Sequence, residues 1–166
     1  MIHANVTYFG AKVITWVLGQ RADVYLIQEH HLTYYKLQLL RKKLQGMYTV
    51  IGSPARNTVA GGTSGGALIL VKAGREIVPN RTLRRGQELP GTSSHNWALV
   101  IIRGKKCNIA LGSIYLHPDD RALNLCTMHA IGCNTQMLGC PHLLVGDFNM
   151  DVDKLSDLHG LVEEDN

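Results

Sequence analysis

The hydrophobic positions of this chain change period several times, and the changes mark its elements. Apolar runs at residues 2–9, 24–28, 48–51, 67–71, 98–102 and 109–116 predict strands. Residues 12–20 predict a short helix with Val13, Ile14, Trp16, Val17 and Leu18 as its apolar part. From 31 to 45 the period lengthens. Leu32, Tyr35, Leu39, Leu40 and Leu44 recur at three- and four-residue steps, the mark of an amphipathic helix. Arg41, Lys42 and Lys43 crowd its last turn, where cations favour the helix dipole, so they are read as helix stabilisation and not as a nucleic-acid patch.

Between these elements lie two polar connections. Residues 53–66 are rich in Gly, Ser, Thr and Asn and predict a loop. Residues 79–94 are polar and basic and carry Arg81, Arg84 and Arg85, read as a solvated loop, with contact to a nucleic-acid backbone as the alternative. Gly104-Lys105-Lys106 is a turn, and Asp119 or Asp120 caps a helix running to about residue 138. Pro141 introduces the last strand, and residues 153–159 predict a short helix ahead of an acidic tail. There is no internal repeat. The pattern gives one α/β or α+β domain over residues 1–166.

Composition adds limits. The 166 residues suffice for one domain with a real core, and a hydrophobic content of 45% makes it globular. A net charge of +4 permits an anionic partner without requiring one. No 18-residue apolar run and no signal-peptide pattern is present, so no membrane role is expected. The four cysteines, Cys107, Cys126, Cys133 and Cys140, form no C-x-x-C pair. The last three are spaced by seven, about 10 Å along a helix, too far for a disulfide or a shared metal. They are expected as reduced thiols on a buried helix face, in an intracellular compartment, cytoplasmic or nuclear. The histidines, including the adjacent His30 and His31, show no metal-ligand spacing.

The candidate chemistry sits where strands end. Leu143-Leu144-Val145 opens through Gly146 onto Asp147 and Asn149, two positions apart and so on the same side of an extended segment. A carboxylate and a carboxamide together offer a hard metal ligand, a proton acceptor and a hydrogen-bond donor. Asn5 lies in the first strand, Glu29 ends the second, and Tyr115 and His117 end the strand at 109–116. Polar side chains repeated at strand ends suggest a cleft along one rim of a sheet. Oxygen donors from Glu and Asn suit a hard dication such as magnesium, which needs only one or two carboxylates.

In order along the chain, Asn5, then Asp23-Val24-Tyr25-Leu26-Ile27-Gln28-Glu29, Gly65-Gly66-Ala67-Leu68-Ile69-Leu70-Val71, Ile114-Tyr115-Leu116-His117-Pro118 and Gly146-Asp147-Phe148-Asn149 resemble the endonuclease/exonuclease/phosphatase family, which includes deoxyribonuclease I. The Tyr-x-x-Pro pattern is most similar to its apurinic/apyrimidinic and retrotransposon-type endonucleases. The resemblance implies a four-layered α/β sandwich with its cleft at one rim of two packed sheets. It implies magnesium, or manganese, on Glu29 with help from Asn5. It further implies that Asp147 orients or deprotonates the attacking water, that Asn149 holds the water or the phosphate, and that Tyr115, with His117 beside it, contacts the phosphate. The implied function is magnesium-dependent phosphodiester hydrolysis, as an endonuclease with nucleic acid as substrate. Family members continue past this motif to a terminal strand bearing an Asp-His pair, whereas 17 residues follow Asn149 here. The expectation is therefore a C-terminally truncated domain. The alternatives are a catalytically impaired remnant with residual metal or nucleic-acid binding, or a phosphatase or lipid phosphodiesterase on the same scaffold.

Overall fold

The computed structural model describes residues 1–79 and 96–149. The basic connection with Arg81, Arg84 and Arg85, and the helix expected at 153–159, lie outside these residues. In chain order the elements are β1 (Ile2–Asn5), α1 (Ala11–Gly19), β2 (Val24–Gln28), α2 (Tyr34–Leu44), β3 (Tyr48–Ser53), β4 (Arg56–Asn57), β5 (Thr63–Ser64), β6 (Ala67–Lys72), β7 (Ile77–Val78), β8 (Trp97–Arg103), β9 (Asn108–Tyr115), α3 (Arg121–Gln136) and β10 (His142–Asp147).

Two four-stranded sheets, ordered β1-β2-β6-β3 and β10-β9-β8-β7, stack face to face. The alternation within β2 and β6 explains the stacking. Val24, Leu26, Ala67, Ile69 and Val71 point between the sheets and meet Ala98, Val100 and Leu111. Tyr25, Ile27, Leu68 and Leu70 point the other way, onto Val17 of α1 and Leu37, Leu40 and Leu44 of α2. Full burial of one such side chain contributes about 1.5–3 kcal/mol. On the far side, Ile131 of α3 packs on Ile114 and Leu116. The result is the expected four-layered α/β sandwich.

Strand direction gathers the polar ends. β1 runs parallel to β2 and β9 parallel to β10, whereas β6 and β8 run antiparallel to β2 and β9. The C-terminal ends of β1, β2, β9 and β10 therefore share one rim with the starts of β6 and β8.

Several expectations change. The first strand stops at Asn5, because its partner β2 ends at Gln28 and the backbone turns left-handed at Glu29, φ 57°. The helix expected from 31 begins at Tyr34, because His31 is also left-handed, φ 56°, and Thr33 caps the helix through the Lys36 N–H. Its buried stripe is Leu37, Leu40 and Leu44, while Tyr35 and Leu39 are exposed. Leu32 precedes the helix, so counting from it shifts the phase. The loop at 53–66 contains the β4–β5 hairpin. The cysteines are not on a buried face: Cys107, Cys126 and Cys133 are exposed and Cys140 is half-buried. α3 instead buries Asn124, Thr127, Ile131 and Thr135, and its three-four spacing turns the cysteine row outward.

Candidate active site

Six side chains singled out in the sequence meet at the shared rim. In the register of the parallel pairs, Asn5 stands beside Gln28 and Asp147 beside Tyr115. Asn5 Nδ2 donates to Asp147 Oδ2 at 2.6 Å, which joins the ends of β1 and β10 across the two sheets. Beneath them, fully buried Gln28 donates to Ser113 Oγ at 2.7 Å, and Ser113 donates to the Ile27 carbonyl at 3.1 Å. These bonds hold the sheets in register directly under Glu29.

Asp147 and Asn149 converge by a different route from simple strand alternation. The strand ends at Asp147, and Asn149 is left-handed with φ 44°. Asp147 Oδ1 accepts the Asn149 N–H at 3.2 Å, a local turn of the kind short polar side chains favour. Asn149 Nδ2 then donates to the Leu116 carbonyl at 2.8 Å, so the amide spans from β10 to the end of β9. Gly146 is required here: a Cβ would collide with the Ile114 carbonyl.

Tyr115 is 4% exposed, and its backbone N–H donates to the Asn96 carbonyl at 2.7 Å. Burial raises the pKa of its phenol, and the charges of Glu29 and Asp147 raise it further; the Ser64 hydroxyl and Arg56 partly offset this. The phenol therefore stays a hydrogen-bond donor at neutral pH. His117 stands edge-on to it, ring centroids 6.5 Å apart. Its backbone is clamped by α3, since the His117 N–H donates to Asn124 Oδ1 at 2.8 Å and Asn124 Nδ2 donates to its carbonyl at 2.6 Å.

Glu29 follows the last residue of β2, with a quarter of its side-chain surface exposed. Its N–H donates to the Gly66 carbonyl at 2.9 Å. Gly66 has φ +92°, and a Cβ on it would lie 2.5 Å from the His30 ring. That ring is fully buried: Nε2 meets the Ser53 carbonyl at 3.0 Å and Nδ1 accepts the Leu32 N–H at 3.0 Å. The proton therefore sits on Nε2, and burial lowers the pKa to about 4. The Gly65–Gly66 pair thus allows β6 to start against a buried imidazole.

Sequence reasoning missed the walls of this cleft. The β4–β5 hairpin supplies Ser64 beside Tyr115 and Thr63 beside His31. Its Arg56 reaches Asp120, the cap of α3, at 3.3 Å. Asn96 and Asn124 are buried asparagines whose sequence neighbourhood carries no signal. Asn124 bonds the backbone of His117, and Asn96 contributes its backbone carbonyl to Tyr115 while its Nδ2 has no hydrogen-bond partner among the described residues.

The donor set fits a hard dication. Asn5 donates through its nitrogen to Asp147, so its amide oxygen is not used in that bond, and it ends the strand paired with the one Glu29 follows. Among the described residues no group of three or more His, Cys, Asp or Glu converges as a metal cage. One carboxylate and one amide oxygen suit magnesium, which retains waters, better than a metal demanding a full set of protein ligands.

No family model and no curated protein matches the chain. Solved structures do match. The endonuclease domain of TRAS1, a telomere-specific non-LTR retrotransposon, superposes with a TM-score of 0.61 at 18% identity over 97% of this chain and 69% of that one. The AP endonuclease LMAP from Leishmania major gives 0.57 at 12% identity over 88% and 53%. An endonuclease/exonuclease/phosphatase family protein from Bacteroides thetaiotaomicron gives 0.55 at 14% identity over 91% and 63%. The chain thus spans about half to two-thirds of these structures, and its fold is the deoxyribonuclease I-like sandwich of the endonuclease/exonuclease/phosphatase proteins.

Proposed function

We propose that this rim hydrolyses phosphodiester bonds in nucleic acid, acting as an endonuclease with a divalent cation on Glu29 and Asn5. The observation that carries the reading is the Asn5–Asp147 hydrogen bond. It joins a carboxylate and two carboxamides beside a protonated phenol, drawn from three separate segments, β1, β9 and the end of β10. No packing need explains that convergence at a partly open rim. The endonuclease neighbours supply the substrate class.

When bound, the cation neutralises a phosphate oxygen and stabilises the charge that builds on it in the transition state. Asp147 is the base. Donors from Asn5 and the Asn149 backbone orient its two oxygens, and each oxygen keeps a lone pair for the proton of the attacking water. The water oxygen bonds to phosphorus while the bond to the leaving oxygen breaks. Tyr115 donates to a non-bridging oxygen, and the second Nδ2 hydrogen of Asn149 is free to do the same. His117, fixed by Asn124, lines the side of the cleft beyond Tyr115.

The test is cleavage of plasmid and abasic DNA with magnesium, beside Glu29→Gln and Asp147→Asn. Asp147→Asn is expected to lower the rate by about 10²–10⁴-fold, the usual worth of a positioned base. Glu29→Gln is expected to abolish the metal dependence along with the activity. Full activity in Asp147→Asn refutes the assignment.

A further inference from the structure

Among the described residues His31 is the imidazole paired with Glu29, and its two nitrogens are in different situations. Two left-handed residues, Glu29 and His31, bracket His30, and their side chains approach each other. Both are non-glycine residues in a backbone region that L side chains rarely adopt. Both are pinned to the glycine pair, Glu29 N–H to the Gly66 carbonyl at 2.9 Å and His31 N–H to the Gly65 carbonyl at 3.2 Å. His31 Nδ1 makes a short hydrogen bond to the Thr63 carbonyl, and Thr63 Oγ1 donates back to the His31 carbonyl at 3.0 Å. A carbonyl only accepts, so Nδ1 carries the hydrogen. In the neutral ring the lone pair is then on Nε2, which lies 3.7 Å from Glu29 Oε1.

A ring nitrogen that donates to a backbone carbonyl while the other faces outward is the usual support of a metal-bound histidine. Two bonds of about 2.1 Å span up to about 4.2 Å, so one ion can bridge this separation. A simple ion pair would also bring His31 to Glu29, but it gives no preference among dications. Resting on the cation proposed at Glu29, we propose that His31 Nε2 is a further ligand to it, so that the site prefers a first-row transition dication such as manganese(II) over magnesium. Imidazole suits first-row transition ions such as zinc, iron and nickel better than it suits magnesium; manganese(II), the weakest binder of that series, is the paramagnetic member that reports a nitrogen ligand directly.

The experiment measures binding of manganese(II) and magnesium to the full chain by calorimetry, and pulsed electron paramagnetic resonance of the manganese-loaded protein. The parent is expected to bind manganese at least tenfold tighter than magnesium and to show nitrogen modulation from imidazole. His31→Asn keeps an N–H for Thr63 but removes Nε2. It is expected to lose the modulation and about tenfold in manganese affinity while magnesium affinity stays within twofold, which also reports an intact fold. Absence of nitrogen modulation in the parent, or unchanged manganese affinity in His31→Asn, overturns the His31 assignment and leaves Glu29 standing. A parent that takes up neither cation overturns both. Glu29→Gln is expected to remove both cations, and retention of manganese there moves the site elsewhere.

Discussion

The two helical layers of the sandwich are built from different materials. The α1–α2 layer is apolar: Val17, Leu37, Leu40 and Leu44 close over Tyr25, Ile27, Leu68 and Leu70. The α3 layer buries Asn124, Thr127 and Thr135, with Ile131 as its fully buried aliphatic residue. Thr135 turns its hydroxyl back to the Ile131 carbonyl at 3.0 Å, and Asn124 spends both ends of its amide on the His117 backbone. The first layer stabilises the fold. The second holds the cleft, at the cost of apolar area that would otherwise stabilise. Of the three, Asn124 serves a neighbour, the loop after Tyr115, whereas Thr135 bonds its own helix and Thr127 Oγ1 is buried without a hydrogen-bond partner among the described residues.

Single substitutions separate the two roles. Leu44→Ala removes a side chain 1% exposed in the apolar layer and is expected to cost about 2–5 kcal/mol, read as a fall in the urea midpoint, with unchanged cleavage in the folded fraction. Asn124→Ala leaves the His117 N–H and carbonyl without their partner and is expected to cost about 1–3 kcal/mol. It is also expected to lower cleavage of saturating DNA tenfold or more, because Tyr115 and His117 lose their fixed frame. Equal effects of the two changes on stability and on activity would dissolve the distinction between the layers.

The apolar layer also contains one titratable group whose protonation opposes folding. His30 lies under the glycine pair with its pKa lowered from an ordinary 6.5 to about 4 by burial. The unfolded chain binds the proton first, so stability is full above pH 6.5 and falls as the pH drops toward 4. A shift of that size corresponds to about 3 kcal/mol between those limits. Urea denaturation in EDTA across this range checks it, and His30→Gln is expected to flatten the slope. A parent with no loss of stability between pH 6.5 and 4 contradicts the buried neutral ring.

The same contrast explains what was legible in the sequence. Apolar runs located every long strand, because a strand covered on one or both faces must be apolar somewhere. The rim positions of Glu29, Tyr115, Asp147 and Asn149 were legible because strand ends are marked by the run stopping, whereas Asn5 read as the middle of a strand that in fact ends there. The phase of α2 was not, because a left-handed His31 displaced its start, and backbone sign is not written in residue type unless glycine supplies it. The cysteines misled because their type is commonly buried, while the face a helix buries is decided by its neighbours. Residues 53–66 read as a loop because a two-residue ladder leaves no periodicity, yet Thr63 and Ser64 form a wall of the cleft.

That hairpin is also where the polar layer meets the cleft from the other side, through Arg56 and Asp120. Asp120 caps α3 by accepting the Leu123 N–H at 3.1 Å, and this bond, with Arg56 after it, holds its carboxyl below the usual range. Both partners remain about a third exposed and solvent screens them, so the pair itself contributes little to stability. Arg56→Ala is accordingly expected to leave the urea midpoint nearly unchanged. Its effect belongs to the site. Without the link, the hairpin that carries Ser64 to Tyr115 loses its connection to α3, and KM for DNA is expected to rise severalfold with kcat little altered. Arg56→Lys keeps the charge without the guanidinium fork and is expected to recover part of the loss. A fall in kcat with KM constant would instead place Arg56 at the reacting phosphate.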